Sequence, residues 1–100
     1  MEILKTNENN VMTIKLEGWL DTQSAPELAK EIESLEGVSS LVLDFDKLEY
    51  ISSSGLRVVV SAYKKMTSFN GDFSVINVSS EVMDVFKLTG IDSKLNISGK

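Results

Sequence analysis

The chain has 100 residues, with no cysteine and no histidine, and its fifteen acidic and ten basic residues give a formal net charge of −5 at pH 7. This composition excludes a disulfide scaffold and a thiolate zinc site, and it removes the commonest metal ligand and the commonest general base. The negative charge argues against a nucleic-acid-binding surface, and a mean hydropathy of +0.01 without a long apolar segment argues against membrane insertion.

The length is that of one domain, which we expect to span residues 1–100. A chain of this size can bury enough apolar surface to fold without a metal ion, and no cofactor is expected. The first ten residues, MEILKTNENN, lack a positively charged region followed by an apolar block. No signal peptide is therefore expected, and the predicted location is the cytoplasm.

A β-hairpin is predicted at the amino terminus. Residues 2–6 have the composition of a short edge strand, and residues 7–10 that of a turn, because asparagine tolerates left-handed backbone. From Val11 to Glu17, apolar and polar side chains alternate, which is typical of a half-buried strand. Residues 18–22 are predicted to form a loop.

A first helix is predicted after this loop from its start and stop signals. Ser24 is the expected N-cap, and Glu27, three residues later, completes a capping box. Pro26 falls in the first turn, where its missing N–H has little effect, and Gly37 is the expected end of the helix. The predicted buried stripe consists of Leu28, Ile32 and Leu35.

The segment from residue 41 to residue 66 carries the most informative pattern. A nearly continuous apolar run, residues 41–45, predicts a strand covered on both faces, and residues 46–51 are predicted to form a connector. Three serines and a glycine then lead into a helix predicted to extend from Ser53 to Thr67. Its apolar face, spaced at helical intervals, consists of Leu56, Val59, Val60, Tyr63 and Met66.

After the hairpin, helices and strands alternate. A turn is predicted at residues 70–72, a third apolar strand at 73–78 and a short last strand at 95–97, with residues 98–100 frayed. Such alternation implies parallel strands joined by right-handed crossovers. The predicted fold is therefore a single α/β domain with a mixed sheet of four to five strands, parallel core strands and three to four helices.

The last predicted helix lies between the third apolar strand and the short last strand. Ser79 or Ser80 is expected to cap it, and Gly90 is expected to end it. Its predicted apolar set consists of Val82, Val85, Phe86 and Leu88.

In sheets of this kind, ligands bind beyond the carboxyl ends of the parallel strands. Ser52, Ser53 and Ser54 are predicted to lie at such an end, together with Asp44 and Asp46. The first N–H groups of a helix have no partner within it, and the helix dipole favours negative charge there. The serines are therefore predicted to form a site for an anion, or for a serine that becomes one.

Three segments resemble, in order and over nearly the whole chain, the STAS domain, a family named for sulfate transporters and anti-sigma-factor antagonists. They are GWLDTQSAPEL at residues 18–28, LVLDFDKLEYISSSGLRVV at residues 41–59 and VMDVFKLTGI at residues 82–91. In similar stand-alone members the central motif is Asp-Ser-Ser/Thr-Gly-Leu. A partner kinase that is also an anti-sigma factor phosphorylates the first hydroxyl residue of that motif.

The resemblance implies phosphorylation of Ser53, with Ser54 at the second hydroxyl position. Ser52 stands where the family has Asp, a departure that bears on recognition by the usual kinase. The Asp of the family's G-x-L-D segment is retained as Asp21. Arg57, one helical turn after Ser53, is placed to make a charge-assisted contact with a phosphate.

The function that the resemblance implies is that of an anti-sigma-factor antagonist without catalytic activity. The unmodified form would bind an anti-sigma factor that has serine kinase activity, and the form phosphorylated on Ser53 would release it. A phosphatase is a further expected partner, whereas nucleic acid and membrane insertion are not expected. The residues expected to contact the partner are Asp21, Ser52, Ser54, Gly55 and Arg57.

Simpler structural roles stay open for the same residues. Ser53 could be only the N-cap of its helix, with a neighbouring serine sharing that role, and Asp21 could only cap the loop before the first helix. Gly55 is expected to let the helix start pack closely on neighbouring backbone. Trp19 is expected to be partly buried against the sheet, with an exposed anchor as the alternative.

Three other functions fit parts of the sequence. A serine hydrolase is disfavoured, because the chain has neither histidine nor the G-x-S-x-G frame. A receiver-like domain phosphorylated on Asp44 is disfavoured by the short chain and by the lack of an acidic pair to hold Mg²⁺. A STAS accessory subunit of a transporter or of a lipid-trafficking complex shares the fold, and the sequence does not separate it from an anti-sigma-factor antagonist.

Overall fold

The computed structural model describes residues 1–100 and contains a five-stranded sheet and three α-helices. In chain order the elements are β1 Glu2–Glu8, β2 Val11–Leu20, α1 Ala25–Glu33, β3 Ser40–Ile51, α2 Ser53–Ser68, β4 Asp72–Val78, α3 Ser80–Thr89, a 3₁₀ helix Ile91–Ser93 and β5 Ile97–Gly99. The strands lie in the order β1-β2-β3-β4-β5. The first pair is antiparallel and the others are parallel. The predicted α/β fold with a mixed sheet and parallel core strands is confirmed.

The three helices cover the same face of the sheet. Every crossover leads to the next strand in the same direction across the sheet, and right-handed crossovers of this kind place all helices on one side. On that side the ring of Phe45 in β3 stacks on Phe86 of α3, with 6.3 Å between the ring centroids. On the opposite side Val42 and Asp44 are only half-buried, so the prediction that residues 41–45 are covered on both faces is wrong.

Two segments predicted to be irregular belong largely to strands. β2 continues to Leu20 and β3 to Ile51, so that residues 18–20 of the predicted loop pair with the predicted connector 46–51. The register of this pairing shifts twice, the second time between Gly18 and Trp19. Such bulges interrupt the alternation of apolar and polar residues by which a strand is recognised in a sequence.

The start of α1 also departs from the prediction. The side chain of Ser24 caps no N–H group of the helix, and its hydroxyl instead lies 2.8 Å from the carbonyl oxygen of Trp19. The predicted capping box with Glu27 is therefore wrong. Pro26 does lie in the first turn, as predicted.

A side chain from another helix bonds to the carboxyl end of α1. Lys65 of α2 donates hydrogen bonds to the carbonyl oxygens of Ile32 and Glu33, at 2.8 and 2.7 Å. These bonds satisfy carbonyl groups that have no partner within α1. The helix ends at Glu33, before the predicted stop at Gly37, and Leu35 beyond it is still buried.

Other boundaries follow their sequence signals. Asn9 and Asn10, both at positive φ, turn the amino-terminal hairpin. The side chain of Ser79 caps α3 by accepting a hydrogen bond from the Val82 N–H at 3.2 Å, and Gly90 ends the helix at φ 76°. None of the helices has both the length and the apolar character needed to cross a bilayer.

Two predictions near the carboxyl terminus are wrong. Leu88, placed in the apolar set of α3, is 87% exposed. Residues 97–99 form β5, and the N–H of Lys100 donates to the carbonyl oxygen of Val78 at 3.3 Å, so the last residues are not frayed. The last strand thus begins two residues later than predicted and pairs with β4.

Replacing Gly90 by alanine should destabilise the protein by about 1 kcal/mol, because a Cβ disfavours the left-handed backbone that ends α3. Urea unfolding followed by circular dichroism measures the change. Gly99→Ala is the matched control, since Gly99 is not in the left-handed region and its added Cβ would make only an ordinary contact, 3.5 Å from the Val78 carbonyl oxygen. Equal stability of Gly90→Ala and the wild type would contradict this role for Gly90.

Candidate functional site

The candidate site begins where β3 gives way to α2. Ser52 has extended backbone, with ψ 174°, and its hydroxyl oxygen accepts a hydrogen bond from the Gly55 N–H at 3.2 Å. Its carbonyl oxygen accepts from the Leu56 N–H at 2.9 Å. Ser52 is therefore the N-cap of α2, and the simpler interpretation of Ser53 as that cap is wrong.

Ser53 is the first residue of α2, and its side chain is exposed. Its hydroxyl makes no hydrogen bond within the chain, whereas the hydroxyls on both sides of it do. The first turn of α2 contains no acidic residue, so the positive end of the helix dipole is not offset there. The Ser53 hydroxyl is thus accessible and lies in surroundings that favour a negative charge.

The G-x-L-D segment meets the serine segment at this end of the sheet. Leu20 and Ile51 are the last paired residues of β2 and β3, and the Ser52 N–H donates to the Leu20 carbonyl oxygen at 2.9 Å. The hydroxyl oxygens of Thr22 and Ser54, 32 residues apart in the sequence, lie 3.3 Å from each other. Two of the segments that carry the resemblance therefore form one continuous surface.

Asp21 closes the turn that leads into α1. Its Oδ1 accepts hydrogen bonds from the N–H groups of Gln23 and Ser24, at 3.1 and 3.0 Å, and the Ser24 hydroxyl lies 3.0 Å away. The Ser24 N–H, and after it the Ser24 hydroxyl, hold the pKa of the Asp21 carboxyl below its usual range. Its Oδ2 takes no part in these bonds. The loop-capping role of Asp21 is confirmed, and a contact with a partner stays a prediction.

Gly55 is the point at which α2 packs on the sheet. A Cβ at this position would lie 2.8 Å from Cγ of Leu20, 2.9 Å from the Leu20 carbonyl oxygen and 3.0 Å from Cγ1 of Ile51. No side chain fits at such distances, so the expected close packing of the helix start on neighbouring backbone is confirmed.

The remaining predicted charges lie farther apart than expected. Arg57 is exposed on α2, one turn after Ser53, and its predicted contact with a phosphate stays a prediction. Asp44 lies in the middle of β3 rather than at its end. Its Oδ1 accepts hydrogen bonds from the N–H of Asp46 and from Nδ2 of Asn77, both at 3.0 Å. The prediction that Asp44 and Asp46 share a strand end with the serines is therefore wrong. The receiver-like alternative required Asp44 at the end of its strand, and the structure does not place it there.

An exposed aromatic pair was not predicted. Trp19 and Tyr50 are paired across β2 and β3 just before the serine segment, with ring centroids 5.2 Å apart. The two residues are 56% and 45% exposed, so Trp19 is exposed rather than buried against the sheet, and its alternative role as an anchor stays a prediction. The pair depends on the register between two strands, which no local sequence signal gives.

A serine-glycine helix start that packs closely on a mixed sheet with parallel core strands is the arrangement that the resemblance to the STAS domain implied. The family model described as "STAS domain" matches residues 2–100, and the chain belongs to this family. The anti-sigma-B factor antagonist of Bacillus subtilis (strain 168) is 30% identical over 98 residues, which cover 97% of this chain and 89% of that protein.

Solved structures have the same fold at lower sequence identity. An anti-sigma factor antagonist from Mycobacterium paratuberculosis superimposes with a TM-score of 0.87 at 24% identity, over 99% of this chain and 86% of that chain. The Bacillus cell fate determinant SpoIIAA in its phosphorylated form superimposes with a TM-score of 0.78 at 18% identity, over 99% of this chain and 93% of that chain. These two similarities concern the fold.

Replacing Gly55 by alanine should destabilise the protein by about 1–3 kcal/mol, the range for overpacking a filled site, because the clash involves a backbone oxygen that cannot rotate away. Urea unfolding measures the loss. Ser61→Ala, at an exposed position of the same helix, is the control and should be close to neutral. An unchanged midpoint for Gly55→Ala would show that the helix start has room for a side chain.

Replacing Asp21 by asparagine should lower the free energy of unfolding at neutral pH. A carboxyl whose pKa is lower in the folded state adds stability above its unfolded pKa, and this contribution is lost as the pH falls through the folded pKa. The difference between wild type and Asp21→Asn should therefore shrink in acid, as measured by urea unfolding at a series of pH values. Asp72→Asn, at an exposed residue without a side-chain hydrogen bond, is the control. A difference that is constant with pH would contradict the linkage.

Proposed function

We propose that this chain is an anti-sigma-factor antagonist that acts as a serine phospho-switch. The unmodified form binds an anti-sigma factor with serine kinase activity, phosphorylation of Ser53 releases that partner, and a phosphatase restores the unmodified form. The family and the name of the Bacillus subtilis relative support the class of function. The observation that carries the switch is the exposed Ser53 hydroxyl, free of hydrogen bonds, on the first residue of α2.

The neighbouring hydroxyls are less suited to be the acceptor. The Ser52 hydroxyl oxygen caps α2 through the Gly55 N–H, and the Ser54 hydroxyl lies 3.3 Å from that of Thr22. Phosphorylation of either residue would disturb a contact within the fold. Phosphorylation of Ser53 disturbs none.

The isolated fold should tolerate a phosphate on Ser53. The group adds roughly −1.5 to −2 charges at neutral pH. Negative charge at a helix N-terminus is stabilised by about 0.3–1 kcal/mol. Because Ser52 replaces the family Asp, no neighbouring carboxylate in the first turn repels the phosphate. The same charge trapped without a partner in a protein interface would be unfavourable by several kcal/mol, and every ~1.4 kcal/mol is a tenfold change in affinity.

The surroundings of Ser53 are suited to a protein partner. The exposed rings of Trp19 and Tyr50 lie at the ends of the two strands that lead to the site, and aromatic side chains are enriched at protein interfaces. Oδ2 of Asp21 and the side chain of Arg57 are open to additional polar contacts. The proposed interface therefore consists of the ends of β2 and β3 with the first turns of α2, and the protein itself performs no catalysis.

Ser53→Asp should keep the fold and weaken partner binding by about tenfold or more, whereas Ser53→Ala should bind constitutively. The experiment is affinity capture from native lysate with phosphosite mapping of the bait, followed by titration of the purified partner. Ser80→Asp is the matched control, because Ser80 is the exposed first residue of α3 and follows the serine cap Ser79. If Ser53→Asp binds the partner as tightly as the wild type does, the switch is wrong.

A further inference from the structure

A groove between α2 and the end of α3 lies outside the proposed switch. It has a volume of about 370 Å³ and is open to solvent. Leu56 and Val60 of α2 form one wall, and Ile91 of the 3₁₀ helix lies opposite. Val60 is half-buried without packing against the main core, so part of its apolar surface faces the groove.

The charge of this groove is opposite to that of the whole chain. Arg57 and Lys64 line it, no acidic residue does, and neither cation takes part in an ion pair within the chain. The two residues are seven apart, which places them on one side of α2 with Val60 between them. An apolar strip flanked by two free cations is therefore present on a chain whose net charge is −5.

We propose that this groove binds an acidic amphipathic helix of a partner protein. Apolar side chains at helical spacing would lie against Leu56, Val60 and Ile91, and flanking Asp or Glu side chains would pair with Arg57 and Lys64. The binding does not require phosphorylation of Ser53, so this inference and the proposed switch can fail separately.

Other occupants fit the groove less well. In a second copy of this chain, α1 and α3 are the helices with a net negative charge, but the core already buries Leu28 and Ile32 of α1 and Val82 and Phe86 of α3. A fatty acid needs an enclosed apolar pocket that covers most of its surface, whereas this groove is open. A helix bound along one side needs no such enclosure.

The test is a titration of the ¹⁵N-labelled full chain with a synthetic helical peptide, followed by amide chemical shifts. The peptide has leucine at positions i, i+3, i+4 and i+7 with glutamate on both flanks. We expect saturable shifts at Leu56, Val60 and Ile91. The same peptide with lysine in place of glutamate should bind about tenfold more weakly or worse, because like charges then meet.

Two variants make the test specific. Lys64→Glu should weaken binding of the glutamate peptide by about tenfold or more, while Lys30→Glu, the same change at an exposed lysine of α1, should leave it unaltered. Equal binding of both peptides, shifts outside the groove, or no binding would overturn the proposal. Saturation of the groove by decanoate, and not by the peptide, would overturn the proposal in favour of a fatty acid. Dimerisation that Lys64→Glu abolishes would overturn it in favour of a second copy of this chain.

Discussion

The pairing of β2 with β3 at their carboxyl ends is the contact on which the candidate site depends. The Leu20 carbonyl oxygen accepts a hydrogen bond from the Ser52 N–H at 2.9 Å. Leu20 also fills the space that a Cβ of residue 55 would need. Because Gly55 has no side chain, the first turn of α2 lies close against Leu20 and Ile51 at the carboxyl ends of β2 and β3. Ser53 lies outside the buried face of α2, which consists of Gly55, Leu56, Val59, Ala62 and Met66, and its side chain is exposed.

A second constraint is the division of roles between adjacent serines. A single serine that both capped α2 and accepted a phosphate would lose its cap on modification, and the loss of such a cap costs about 1 kcal/mol. Here Ser52 provides the cap and Ser53 the free hydroxyl. Asp would cap as well as Ser, so the replacement of the family Asp by Ser52 leaves the helix start intact and changes only its charge. If Ser53 is phosphorylated as proposed, the cap that Ser52 provides to α2 is retained.

Features set by local chemistry could be predicted from the sequence, and features set by contacts between distant residues could not. Helical spacing and a serine-glycine start were sufficient to place α2, and a glycine, the residue that most readily adopts a positive φ, marked the end of α3 at Gly90. The continuation of β2 to Leu20 was missed, because bulges hide the alternation in its last residues. The early end of α1 was missed because no glycine or proline marks it in the sequence, and the Lys65 contact with its last carbonyl oxygens comes from another helix.

The same distinction applies to the candidate site. The resemblance to the STAS motif pointed to Ser53 and Asp21, whose roles toward a partner stay predictions. The sequence could not show that the Asp21 loop and the serine segment touch through Thr22 and Ser54, or that Trp19 and Tyr50 form an exposed pair. Both facts follow from the register between β2 and β3, and a register is a property of two strands together.

The position of Arg57 relates the two proposed surfaces. It lies one turn after Ser53, within the reach of residues spaced i and i+4 on a helix, and it also lines the groove beside Val60. If Arg57 makes both proposed contacts, a phosphate on Ser53 and a carboxylate in the groove compete for one guanidinium group. Because both surfaces belong to a single 16-residue helix, no conformational change is needed to couple them. Occupancy of one surface would alter the charge available to the other through this side chain alone.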